Sequence, residues 1–150
     1  MSVSAKGYDN LTERERLKDL KARYVKYVDR GRWDLLAGLY TEDTVFDIRT
    51  KEAENNGEAP IQGIQEVISF IQVAIGAGKC LHLVYAPEFR FKSENLAEVE
   101  WGLEYMAGQV TGGKFEGIHG YGHSLDVYQN INGIWRVKSV KLIRMFELSK

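Results

Sequence analysis

The sequence predicts an α+β domain in which three N-terminal helices pack inside a strongly curved, mainly antiparallel sheet. Two observations carry this. Apolar residues recur at helical spacing as far as Ile75, and from Leu81 onward the period changes to two. Helices followed by long strands is an α+β order, and a long antiparallel sheet needs its apolar face covered. A third observation sets the scale. The 150 residues show no repeat, linker or composition break, so residues 1–150 read as one domain with a core of its own.

The elements follow in order. Thr12 with Glu15 forms a capping-box pattern, and Leu17, Leu20, Tyr24, Tyr27 and Val28 then keep helical spacing. Gly31 lies where a glycine would end that helix. A short second helix runs through Trp33, Leu36, Leu39 and Tyr40, and a brief strand covers Thr44 to Arg49. The polar stretch Thr50 to Pro60 (TKEAENNGEAP) has no period and reads as a mobile loop, a candidate lid over a pocket mouth. The third helix spans about Ile64 to Ile75, with Ile64, Val67, Ile68 and Ile71 on one stripe. Strands are expected at Leu81–Tyr85, Glu88–Lys92, Leu96–Ala107, Ile118–Gln129 and Ile134–Glu147. Ser93-Glu94-Asn95 and Asn132-Gly133 suit hairpin turns. In Leu96–Ala107 one face carries Val99, Trp101, Leu103 and Tyr105, and the other carries Glu98, Glu100 and Glu104.

Composition bounds the function. Hydrophobic residues at 44% and charged residues at 27% are globular values. The 20 basic and 21 acidic residues give a net charge of -1, which argues against nucleic-acid or membrane-surface partners. No apolar run approaches the roughly 20 residues of a bilayer span, and the polar segment 1–10 lacks the core of a signal peptide. One cysteine, Cys80, excludes an internal disulfide and fits a reducing compartment. The expectation is a cytoplasmic protein acting on a small molecule.

Chemistry could lie at a few positions. Asp29 closes the first helix, where the macrodipole disfavours a carboxylate, and it adjoins the stripe of Tyr24, Val25 and Val28. It is either a boundary carboxylate paired with Arg30 or Arg32, or part of a pocket. His82 lies in the apolar strand KCLHLVYAP, sharing a face with Cys80 and Val84. It is either a hydrogen-bonded core histidine or a proton-transfer group. His119 and His123 share a strand face but lie too far apart to ligate one ion, so no metal site is expected. Gly117, Gly120 and Gly122 suggest bulges or close backbone approach rather than a phosphate loop. Arg144, in KLIRMFEL, is either an anion anchor or an edge arginine, with Asp126 a possible partner. Trp101, Tyr105 and Tyr24 could line an aromatic pocket, with ordinary core packing the alternative for Trp101.

Taken together, these features resemble the SnoaL-like group of the NTF2-like superfamily, which includes scytalone dehydratase, bile acid 7α-dehydratase and the hexachlorocyclohexane dehydrochlorinase. The segments that carry the likeness are KARYVKYVDRGRWDLLAGLYTEDTVFDI (21–48), IQGIQEVISFI (61–71), KCLHLVYAPEF (79–89) and GHSLDVYQNINGIWRVKSVKLIR (122–144). The resemblance implies an NTF2-like (cystatin-like) cone with a mixed sheet and a pocket open at one end. It implies an acid–base pair at Asp29 and His82, with Tyr24 ahead of it. Substrate contacts are implied at Arg144, Trp101, Tyr105, Ser124, Phe46 and Ile48. The chain also departs from the family pattern: two tyrosines that position a water in scytalone dehydratase fall at Val28 and Ile48, and an asparagine falls near Ser124. The implied activity is a cofactor-independent lyase, a dehydratase acting on a small hydroxy-carbonyl or polycyclic substrate. Isomerase or cyclase chemistry with the same pair, and a non-catalytic binding domain, are the alternatives. The resemblance further implies a homo-oligomer, trimer or dimer.

Overall fold

A computed structural model describes residues 11–150. The polar segment 1–10 therefore lies outside the described residues. The first helix, α1 (Leu11–Asp29), turns Leu17, Leu20, Lys21, Tyr24, Val25 and Val28 inward. Thr12 sits within its first turn rather than at its cap, and Glu15 pairs with Lys18 at 2.9 Å, so the expected capping box does not form. At the other end Gly31 adopts φ 66°, and the Arg32 amide reaches the Tyr27 carbonyl at 2.8 Å while the Gly31 amide reaches Val28 at 3.1 Å. That is the glycine-terminated closure the sequence suggested. It ends the helix directly after Asp29.

The short α2 (Trp33–Ala37) leads into β1 (Tyr40–Asp47). The stretch read as a featureless loop contains a fourth helix, α3 (Lys51–Asn55), whose Ala53 amide donates to Thr50 Oγ1 at 3.1 Å. Five residues are too few to display an apolar stripe, so this helix was invisible to periodicity. Arg49 ties the segment down, bonding Asp47 through Nε (2.9 Å) and Nη2 (2.9 Å) and the Glu58 carbonyl through Nη1 (2.6 Å). Next come β2 (Ile61–Gln62) and α4 (Ile64–Ile75), which buries Val67, Ile68 and Ile71.

Four long strands follow: β3 (Lys79–Ser93), β4 (Leu96–Thr111), β5 (Lys114–Ile131) and β6 (Ile134–Ser149). The two strands expected at 81–85 and 88–92 are one, interrupted by a register shift between Tyr85 and Glu88 where Ala86 takes φ 46°. Pro87 is tolerated there because β3 is an edge strand. The β4–β5 hairpin also extends beyond the expected 107 and 118, turning through Gly112 (φ 59°) and Gly113 (φ 76°). Asn132 (φ 53°) and Gly133 (φ 84°) make the same type of turn, as the sequence signalled.

The sheet order is β2-β1-β6-β5-β4-β3, with β1 parallel to β6 and every other pair antiparallel. Its inner face carries Ala97, Val99, Trp101 and Leu103 of β4, opposite Tyr128, Asp126, Ser124 and Gly122 of β5. Glu98, Glu100 and Glu104 fall on the other face by alternation. The core closes where Leu17, Leu20, Leu36 and Val67 of the helices meet Val99, Tyr128 and Val137. Among the described residues no helix is long and apolar enough to cross a membrane.

Candidate active site

The glycine closure of α1 leaves Asp29 as its last residue, facing the start of β3. There the Asp29 carboxylate gathers three donors from another element. His82 Nδ1 lies 2.6 Å from Oδ1, the His82 amide donates to Oδ2 at 3.1 Å, and the Cys80 thiol donates to Oδ1 at 3.6 Å. The partner of Asp29 is thus His82, and the alternative pairing with Arg30 or Arg32 gives way to it. The two side chains are largely shielded, at 13% and 27% exposure for Asp29 and His82. An ionised Asp29 requires the proton on Nδ1, which leaves Nε2 as the basic nitrogen.

His82 lines a cavity of about 280 Å³ between α1, α4 and the concave face, with Asp29 behind it. Its walls are mostly apolar, including Val25, Val28, Phe46, Ile71, Leu103 and Leu142. Tyr24, Ile48, Tyr105, Ser124 and Arg144 also line it. Trp101 does not. It is buried in the core, donating Nε1–H to Tyr128 Oη at 3.1 Å and meeting Phe89 edge-on, so its place among the substrate contacts is corrected.

Tyr24 accepts a hydrogen bond from Tyr40 Oη at 2.9 Å, which leaves its own hydroxyl hydrogen to be donated elsewhere. Burial drives its pKa well above the usual tyrosine value; the bond from Tyr40 works against this and the Asp126 charge adds to it. Tyr24 therefore stays a neutral donor. Burial also pushes the Cys80 thiol up to about 12, with the Asp29 charge adding to it. Tyr105 is pushed up to about 12 as well, by burial and then by its bond to Glu147 Oε2 at 2.5 Å.

Arg144 faces inward, but its guanidinium already engages Glu147 at 3.2 Å and the Ile48 carbonyl at 2.8 Å. Asp126 is not its partner. That carboxylate belongs to Lys21, 2.7 Å away, and also accepts from Ser124 (2.6 Å) and Tyr128 (2.6 Å). Lys21 and Glu147 are pocket residues absent from the sequence candidates. Lys21 did leave a signal, being the one charge in the apolar run Leu17, Lys21, Val25, Val28 at helical spacing.

Donor atoms of Asp29, Cys80 and His82 lie within 4.8 Å of one another. A metal would have to part the 2.6 Å Asp29–His82 contact, a hydrogen-bond length, and deprotonate a thiol whose pKa burial has raised. The grouping suits proton transfer better than ligation. His119 instead pairs with Glu104 at 3.3 Å and stacks on Tyr121.

The SnoaL-like domain family matches residues 9–141. The chain belongs to this family. Solved structures agree on its NTF2-like fold. A protein of Novosphingobium aromaticivorans provisionally named scytalone dehydratase is 18% identical with a TM-score of 0.78, covering 94% of this chain and 89% of its own. A protein from Kribbella flavida is 17% identical with a TM-score of 0.76, covering 91% and 93%. The hexachlorocyclohexane dehydrochlorinase LinA, type 2, is 14% identical with a TM-score of 0.76, covering 93% and 90%. At these identities the likeness is one of fold. The SnoaL-like assignment accounts for the helices inside a curved sheet, and the chemistry has to be argued from the pocket itself.

Proposed function

We propose that this SnoaL-like domain is a cofactor-independent lyase, a dehydratase in which His82 and Asp29 act as the acid–base pair on a small hydroxy-carbonyl or polycyclic substrate. The observation that carries the reading is the 2.6 Å contact between His82 Nδ1 and Asp29 Oδ1 at the edge of an apolar cavity. His82 Nε2 removes a proton activated by a conjugated carbonyl, Asp29 stabilises the imidazolium that forms, and the imidazolium returns that proton to the hydroxyl group, which leaves as water. Tyr24 donates to the oxygen on which charge develops. The Arg144–Glu147–Tyr105 cluster orients polar substituents at another part of the wall. The neighbouring dehydratase and dehydrochlorinase structures make a lyase the leading class.

The test is a panel of cyclic hydroxy-ketones incubated in deuterated buffer and followed by mass spectrometry. Loss of water with His82 intact supports elimination. Asp29→Asn and His82→Ala are each expected to lower turnover about 10²–10⁴-fold, the usual worth of a general base, while melting near the wild-type temperature. Wild-type rates in both variants would sink the mechanism. Deuterium gained without loss of water assigns the same pair to an isomerase.

A further inference from the structure

Lys21 lines the cavity and belongs to a buried ion pair that the acid–base reading does not use. Lys21 and Asp126 are 3% and 1% exposed, and they meet at 2.7 Å. Replacing such a pair by apolar residues is often neutral or stabilising, so its presence beside an apolar cavity calls for a role. The surrounding bonds converge on the carboxylate. Ser124 donates to Oδ1, while Tyr128 and Lys21 donate to Oδ2, and Trp101 in turn donates to Tyr128. Asp126 thereby accepts three hydrogen bonds, while the ammonium keeps a hydrogen without an oxygen partner among the described residues. Of its three hydrogens one goes to Asp126 and one weakly to Ser124 Oγ at 3.4 Å; among the described residues the third meets the face of Tyr24, 5.1 Å from the ring centroid. Lys21 and Ser124 both line the cavity.

We infer that the Lys21 ammonium, held in place by Asp126 and flanked by Ser124, forms an acceptor-binding pole that takes a neutral carbonyl oxygen of the substrate. Charge sets the chemistry of this ligand. Lys21 and Asp126 cancel, so a bound anion would leave a net negative charge in an apolar enclosure, whereas a neutral oxygen completes the ammonium without one. Position sets its shape. Lys21 precedes Asp29 by eight residues on α1, about 12 Å of helix rise, so the pole lies well away from His82. The substrate class is an elongated, largely apolar conjugated ketone, gripped at its oxygen by Lys21 with its acidic C–H at the far end by His82. This assignment of the C–H rests on the proposed elimination; the carbonyl pole does not.

The probe is 2-acetyl-6-(dimethylamino)naphthalene, a flat neutral ketone whose emission moves to the red when its carbonyl accepts a hydrogen bond, compared with its 2-ethyl analogue, which has no carbonyl. The wild-type protein is expected to bind the ketone about tenfold more tightly than the analogue, with red-shifted emission, as one charge-assisted hydrogen bond implies. Lys21→Met/Asp126→Asn removes both charges together and is expected to erase the preference and the shift. Ser124→Ala, which leaves the ion pair and the free ammonium hydrogen in place, is expected to retain the preference, and so separates loss of the ammonium from a general disturbance of the cavity wall. Asp29→Asn/His82→Ala retains it, so failure of the elimination reading and failure of the carbonyl pole are separately visible. Equal binding of ketone and analogue, no saturable binding, or a preference that survives Lys21→Met/Asp126→Asn overturns the inference.

Discussion

Cys80 reports on the ionisation of Asp29 without any substrate. Its thiol lies between the Val28 carbonyl at 3.8 Å and Asp29 Oδ1 at 3.6 Å. Burial raises its pKa from 9.0 to about 12, and the neighbouring carboxylate contributes through its charge and its hydrogen bond. The thiolate is the nucleophile, so at pH 8 the folded protein should react with iodoacetamide about 10³-fold more slowly than the unfolded chain. Asp29→Asn removes the charge but keeps the burial, so it is expected to lower the pKa part-way and raise the native alkylation rate several-fold. Equal rates in the two proteins would mean that Asp29 carries no charge beside the thiol. The same residue shows where the sequence stopped being legible. The helix-end position of Asp29 was readable, but its partner lies 53 residues away, and no local pattern distinguishes His82 from Arg30 as the group it meets.

At the scale of an element, β5 is shaped by what it lacks. Tyr105 on β4 pairs with Gly120 on β5, which pairs with Glu147 on β6. The Tyr105 ring lies over Gly120 and delivers its hydroxyl to Glu147, two strands away; a Cβ at Gly120 would overlap the ring atoms Cζ and Cε1 and the hydroxyl oxygen. Gly120→Ala is therefore expected to destabilise the fold by about 1–3 kcal/mol, the usual range for overpacking, read from urea midpoints. In a Tyr105→Ala background the same change should cost little. A full cost in that background would locate the strain elsewhere. The sequence pattern at Gly117, Gly120 and Gly122 suggests bulges or close backbone approach, and at Gly120 the neighbour is a side chain. Elsewhere in the sheet, alternation in β4 and Asn132-Gly133 were readable because each expresses a local rule. The α3 helix and the continuity of β3 were not. One is too short to repeat its period, and the other depends on a register shift between Tyr85 and Glu88 that is defined only against the partner strand.

Across the whole molecule, the polar interior is stitched by long-range pairs. Lys21 meets Asp126 across 105 residues of chain, and Trp101 meets Tyr128 across 27, so the site became legible through family resemblance more than through any one motif. That interior has a consequence for stability that belongs to no single element. Tyr24, Tyr40 and Tyr128 all have pKa values raised above 10.0, in each case chiefly by burial. Below pH 10 both folded and unfolded chains keep these protons, and stability is unaffected by them. Above it the unfolded chain releases protons that the folded one retains, so stability falls with rising pH, by up to about 1.4 kcal/mol per pH unit for each tyrosine. Cys80, raised from 9.0 to about 12, starts the decline nearly a unit earlier. Stability read from urea midpoints is therefore expected to stay level from pH 7 to about 9 and then to drop steeply between 10 and 11.5, the three buried tyrosines together contributing a slope approaching 4 kcal/mol per unit and the half-exposed Cys80 and Tyr105 adding a smaller, solvent-screened share. Tyr40→Phe removes one of the three tyrosines and should lower the tyrosine contribution by about a third, and the whole slope by less, while leaving the neutral-pH plateau in place. A midpoint that stays level to pH 11 would mean that the core opens enough to let its tyrosines ionise before the chain unfolds.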